Sequence, residues 1–272
     1  MTAPPSAPTE QAPERGRFWA QTRPNEPTLA IVIGGLVVVA WVALLVWGAS
    51  PYDRYLDHAS LDDLRLALPV AVGIFVAGWT LMIVAMMLPT AYPVVSLFAA
   101  TVRHRQDRGL LVALCVAGYL GVWAGFGYVA YVADIGVHSA VEHIGWLEQR
   151  PWLVGGGVLA VAGAYQFSDL KYRCLDACRS PRLFVLRHWT GRRQRWESAA
   201  LGFDSGLYCL GCCWTLMLVI FAAGAGSIPL MFGLGTAMAV EKNISWGTRI
   251  STPLGLGLLA VAAVVVVDGI IG

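Results

Sequence analysis

The sequence predicts an all-α fold: a polytopic transmembrane helix bundle of six or seven spans, the second of them kinked. Three observations lead there. Hydrophobic residues make up 57% of the 272-residue chain and charged residues only 13%, about half the charge fraction of a soluble domain. Mean hydropathy is +0.62. The apolar residues fall in long runs whose charged connections alternate between basic and acidic. So few charges cannot cover a compact protein of this size with a water-facing surface, which excludes an ordinary cytosolic enzyme. A formal net charge of +2 gives no reason to expect a nucleic-acid partner.

Residues 1–27, rich in Pro, Ala, Gln, Arg and Glu, read as a disordered cytoplasmic tail. The remainder, 28–272, reads as one transmembrane helical domain. Arg15, Arg17 and Arg23 precede the first apolar run, and no small-residue cleavage site follows a short hydrophobic core. A retained span over 28–49 is therefore expected rather than a cleaved signal peptide. Trp47, Tyr52 and Tyr55 suit its membrane interface. Residues 50–70 carry Asp53, Asp57, Asp62 and Asp63 and read as an acidic outer loop, with room for a short surface helix. The stretch 71–101 is long for one span, and Pro89 and Pro93 interrupt it, which predicts a kinked or broken helix. Arg103, Arg105 and Arg108 mark the inner side. A third span is predicted over 109–133, with Asp134, Glu142 and Glu148 outside it, and a fourth over 151–168.

Residues 169–198 hold eight basic residues and form the one substantial cytoplasmic segment. Spans follow at 200–223, 226–240 and 252–268, with Glu241 and Lys242 at the inner end of the short sixth. On this topology 16 of the 19 Lys and Arg residues lie inside. That is the positive-inside asymmetry of a multi-pass cell-membrane protein with a cytoplasmic N-terminus and, with seven spans, an outer C-terminus. If 224–241 is re-entrant, the count falls to six and the C-terminus moves inside. The Gly121/Gly125 and Gly202/Gly206 pairs permit close helix contact.

The chemistry-bearing residues are mostly sulfur. Cys209, Cys212 and Cys213 form a C-x-x-C-C run within span five, with Met217 four residues on. On a helix Cys209, Cys213 and Met217 share a stripe. Span two carries Met82, Met86 and Met87. At about 1.5 Å of rise per residue, Cys209 and Met82 lie at similar depth, so the two helices can converge. Cys174 and Cys178 sit four apart in the basic segment and share a face if it is helical. Thiolates together with thioethers select Cu(I) over zinc, and a monovalent ion suits a charge-poor membrane interior. Cys115 stands alone and reads as packing. None of the five histidines falls inside a predicted span, which argues against a bis-histidine haem; His58, His138 and His143 are placed outside. Asp169 and Lys171, with Glu241 and Lys242, are placed to pair across the bundle or to act as a gate. No Walker loop, dinucleotide fingerprint or nucleophile elbow occurs.

Three stretches resemble a bacterial family of predicted metal-binding integral membrane proteins, sometimes described as copper chaperones. They run from Trp79 to Pro93, from Tyr165 to Pro181, and from Gly206 to Met217 with Glu241 and Lys242 beyond. The resemblance spans about 70–245. It implies roles for Met82, Met86, Lys171, Cys174, Cys178, Cys209, Cys212, Cys213 and Met217. The leading expectation is a membrane protein that binds Cu(I) and passes it to a partner protein or larger membrane complex by thiolate–thioether exchange. Two alternatives stand beside it. One is a quinone- or thiol-linked oxidoreductase, cycling a disulfide within the cysteine run beside Trp79 and Trp214. The other is a structural subunit of a membrane complex.

Overall fold

A computed structural model describes residues 27–48, 68–148, 150, 152–223 and 227–271. The predicted tail up to residue 26, Tyr52, Tyr55, His58 and the acidic loop lie outside the described residues. Within them the elements are helical. In chain order they are α1 (Pro27–Gly48), α2 (Leu68–Met86), α3 (Leu88–Thr101), α4 (Arg108–His143), α5 (Gly145–Glu148), α6 (Trp152–Tyr165), α7 (Asp169–Cys178), α8 (Pro181–His188), α9 (Gln194–Ala222), α10 (Ile228–Asn243) and α11 (Ser251–Ile271), the last preceded by a 3₁₀ turn at Gly247–Ile250.

Four of these segments are long and apolar enough to cross a membrane: Pro27–Gly48, Arg108–Val141, Gln194–Ala222 and Gly247–Ile271. The pair Val72–Met86 and Leu88–Thr101, bent by 68°, makes a fifth if taken as one span. The stretches expected to span at 151–168 and 226–240 form helices of 14 and 16 residues, against about 20 needed for the hydrocarbon layer. α6 stops at Tyr165 because a polar sequence follows, and Ser168 caps the next helix by accepting the Lys171 backbone N–H at 3.2 Å. α4 runs ten residues past the predicted end at 133 and carries Asp134 and His138 within it. Its 36 residues extend about 54 Å, well beyond a 30 Å hydrocarbon core.

The break between α2 and α3 has an identifiable cause. Pro89 cannot donate to the Ala85 carbonyl one turn back, and its ring crowds that carbonyl. The Trp41 indole N–H takes up the Ala85 oxygen at 3.1 Å. The Met87 carbonyl accepts from the Thr90 hydroxyl at 2.8 Å and the Tyr119 hydroxyl at 3.2 Å. Proline thus opens the helix, and the Trp41 side chain of α1 satisfies the carbonyl it frees.

α4 and α9 pack with their backbones almost in contact. A methyl group at Gly202 would collide with the Cys115 carbonyl, and one at Gly118 with the Ala199 carbonyl; Gly206 fits beside Tyr119 and Val122. The α4 glycine at this seam is therefore Gly118. Gly121 and Gly125, the pair singled out in the sequence, meet no neighbour within 4 Å of the Cβ position, because they lie on the outer face of α4.

The basic segment 169–198 carries helices that pack on the bundle. α7 lies against α9, and Lys171, Cys174 and Leu175 are buried. Further on, Glu197 accepts the backbone N–H groups of Thr190, Gly191, Arg192 and Arg193 at 2.8–3.2 Å. Gly191 takes the left-handed conformation (φ 78°) that closes this turn.

Candidate metal centre

Five of the six cysteines gather around the middle of α9. Cys209, Cys212 and Cys213 are 1–3% exposed. α9 stays regular through them, and Cys212 and Cys213 both donate to the Cys209 carbonyl, at 3.1 and 2.9 Å. Gly211, inside the C-x-x-C-C run, has no side chain, and the Cys174 thiol of α7 fills that space. One turn further along α7 the Cys178 thiol is hydrogen-bonded to Cys212. Burial raises the Cys174 thiol above its ordinary range, with Cys212 adding to the effect. The hydrogen bond with Cys212, followed by burial, raises Cys178. The thiols are free. Cys115 lies elsewhere, in a smaller core with Phe98, Leu111 and Phe184.

On the other side of α9, Lys242 of α10 reaches the same cysteines. Its ammonium lies 2.9 Å from Cys209 Sγ and 3.6 Å from Cys213 Sγ. Thr90 Oγ1 is at 3.5 Å and Met87 Sδ at 3.8 Å. The Cys213 thiol itself stands 3.8 Å from Met87 Sδ, and the Tyr119 hydroxyl is 2.9 Å from Cys209 Sγ. Lys242 is 8% exposed and Met87 0%. A buried cation needs compensating partners, and these are two thiols of α9, the Met87 thioether and the Thr90 hydroxyl.

The helix break makes this arrangement possible. Met87 occupies the junction itself, as the residue preceding α3, and is thereby delivered to Cys213. The sulfur helices do converge, but through Met87 rather than at the depth of Met82. Met86 instead packs against Gly235 of α10, where an added Cβ would come within 3.0 Å of its Cε. Met82, Met86 and Met217 share the larger core with the cysteines.

The four charged residues singled out in the sequence separate. Lys171 Nζ donates to Glu241 Oε1 at 2.8 Å, and both side chains are almost fully buried. Gln166 also accepts from Lys171, and the Ser251 hydroxyl donates to the same Glu241 oxygen at 2.7 Å. Lys242, next in sequence, turns to the thiols. Asp169 sits in the first turn of α7 and is exposed. Glu241 and Lys242 lie in the last turn of α10, which ends at Asn243, and both are buried.

Met87, Thr90 and Tyr119 complete the ammonium's surroundings. Met87 was legible as part of the methionine cluster of span two. Thr90 and Tyr119 carried no sequence signal, since either residue is ordinary in an apolar helix. Trp79 and Trp214 do not face one cavity. Trp79 donates to the Trp123 carbonyl at 2.9 Å, whereas Trp214 packs edge-on against Tyr165 with centroids 5.3 Å apart. Among the described residues no three His, Cys, Asp or Glu side chains are already arranged to hold a metal ion. Close sulfur is present, but a lysine ammonium stands among it.

Fold and site together define a class: an all-helical protein with span-length apolar helices around a buried thiol–thioether cluster. The chain belongs to the copper chaperone family PpoB2, whose model matches residues 76–265. That stretch includes all five clustered cysteines, Met87 and Lys242. Membership associates the chain with copper handling in general and, as a chaperone, with a protein partner. Neither the curated proteins nor the solved structures include a significant match.

Proposed function

We propose that the chain is a multi-pass membrane protein that takes up Cu(I) as cargo at the Cys209–Cys213–Met87 cluster and releases it to a partner protein. The observation that carries this reading is Lys242 Nζ among soft donors, 2.9 Å from Cys209 Sγ. Two thiols and a thioether are a donor set for Cu(I), which favours sulfur and accepts low coordination. The ammonium compensates the cluster when it holds no cargo. Cu(I) binds the thiolates, so any proton on Cys209 or Cys213 leaves as the copper–sulfur bonds form; at a site already deprotonated, Cu(I) in place of the ammonium exchanges one monovalent cation for another, which matters where charge is costly. Loading therefore requires Lys242 to withdraw and the sulfur atoms to close in. Cys212, Cys178 and Cys174 supply the next thiols along α7 and α9, and ligand exchange to them moves the ion without nucleotide.

The membrane setting is supported by the apolar surface. Ile31, Val38 and Val39 of α1 and Val264, Ile270 and Ile271 of α11 are 58–80% exposed. In water such faces would drive association; in a bilayer they face lipid. Positive-inside sorting then puts the N-terminus and the basic segment on the cytoplasmic side.

Titration of the anaerobic, detergent-solubilised full chain with Cu(I) against a chromophoric Cu(I) chelator tests the site. The wild type is expected to compete for about one equivalent at high affinity, and Cys209→Ser/Cys213→Ser to lose at least 100-fold. Undiminished binding in that double variant refutes the assignment.

A further inference from the structure

Leaving Met1 aside, the six methionines of the chain are Met82, Met86, Met87, Met217, Met231 and Met238. Each is 4% exposed or less, and all belong to the core that holds Cys209, Cys212 and Cys213. The exposed large apolar residues of α2, α9 and α10 are Val70, Trp196, Phe203, Leu207 and Phe232.

Their placement is directional. Met87, Cys213 and Lys242 touch and so define one level. From it Met86 and Met82 go back along α2, Met238 and Met231 back along α10, and Met217 forward along α9. All three directions lead to the same end of the bundle, where Phe221 of α9 meets Phe75 of α2 with ring centroids 5.6 Å apart. On α10 the buried residues Met231, Gly235, Met238 and Lys242 follow at intervals of four, three and four, which is one helix face. Gly235 on that face receives Met86. The stripe from Met231 to Lys242 extends about 16 Å at 1.5 Å per residue. The thiols of Cys209 and Cys213 are at the level where it ends.

We infer that these methionines form a graded track of Cu(I) sites, with Met231 and Met238 as its outer members, that delivers the ion to the thiol centre. Neutral thioethers bind Cu(I) more weakly than thiolates, so an ion entering at Met231 moves toward tighter binding at each exchange and stops at Cys209 and Cys213. The track rests on the reading of the thiol centre as its end-point. It adds Met231 and Met238 as ligands and gives the transfer a direction within the bundle.

The test uses selenomethionine-labelled full chain, loaded anaerobically with one and then four equivalents of Cu(I), and X-ray absorption at the selenium edge. Selenium–copper scattering is expected to rise at least twofold between the two loadings. In Met231→Leu/Met238→Leu, a near-isosteric change whose folding is checked by thermal unfolding, at least half of that rise should disappear while the first equivalent stays bound. No rise in the wild type, or an undiminished rise in the variant, overturns the track. If the cysteines hold no copper yet the selenium signal persists and falls in the variant, the thiol reading fails and the methionine sites stand. If neither signal is seen, both fall.

Discussion

Lys242 sits where its ammonium meets two thiols, a thioether and a hydroxyl, while the neighbouring Glu241 pairs with Lys171 instead. If the ammonium holds the place of the cargo, removing it should help the metal. Lys242→Met is expected to tighten Cu(I) binding about tenfold, or about 1.4 kcal/mol, in chelator competition; unchanged or weaker binding contradicts the place-holding role. Glu241 behaves oppositely. Glu241→Gln leaves Lys171 buried without its counter-charge, which should cost about 3–5 kcal/mol and appear as a lower thermal unfolding temperature. Lys171→Met/Glu241→Leu should recover most of that loss, because a buried pair replaced by apolar groups of similar volume is close to neutral. The cysteine run and the Glu241–Lys242 pair were legible as chemistry because polar and sulfur residues are conspicuous in apolar helices. Which of the two acidic–basic neighbours met the thiols was not legible, since that depends on the rotation of α10 about its axis.

Two devices at the scale of elements hold the centre in place. The first is the proline break, which puts Met87 at the joint of two helices. Pro89→Ala restores the missing N–H donor and should let α2 continue into α3, withdrawing Met87. Cu(I) affinity is then expected to fall about tenfold, a loss of roughly 1.4 kcal/mol, with little change in thermal stability. Affinity equal to wild type shows that Met87 does not take part. The second is the glycine seam of α4 and α9. Gly202→Val drives a side chain into the Cys115 carbonyl and should destabilise by about 3 kcal/mol, whereas Gly121→Val, in open space, should melt like the wild type. The kink was readable from Pro89 and Pro93, because proline acts locally. The seam was only half readable: Gly202 and Gly206 face α4, but the helix-spaced pair Gly121/Gly125 points away. Spacing gives periodicity along a helix, and the facing side is fixed by its neighbours.

At the scale of the whole molecule the two kinds of sulfur are segregated, with methionines filling one end of the core and cysteines its middle, where α7 folds back. The span pattern was legible in outline from hydropathy. Hydropathy alone did not show that α6 and α10 fall short of a full span, nor that the basic segment carries helices packed on the bundle, because a short helix and a charged stretch gain their positions from tertiary contacts. The orientation has its own test. Arg187→Cys, exposed on α8, should resist a membrane-impermeant maleimide in intact cells, and Ser139→Cys, exposed near the end of α4, should react; the reverse pattern inverts the topology.

The central claim is that Cu(I) replaces the Lys242 ammonium among the sulfur atoms of Cys209, Cys213 and Met87. X-ray absorption at the copper edge, on anaerobic full-length protein carrying one equivalent of Cu(I), tests it most directly. Two or three sulfur neighbours with no nitrogen or oxygen in the inner shell, lost in Cys209→Ser/Cys213→Ser, is the predicted result. An inner shell of nitrogen or oxygen that survives this double substitution would contradict it.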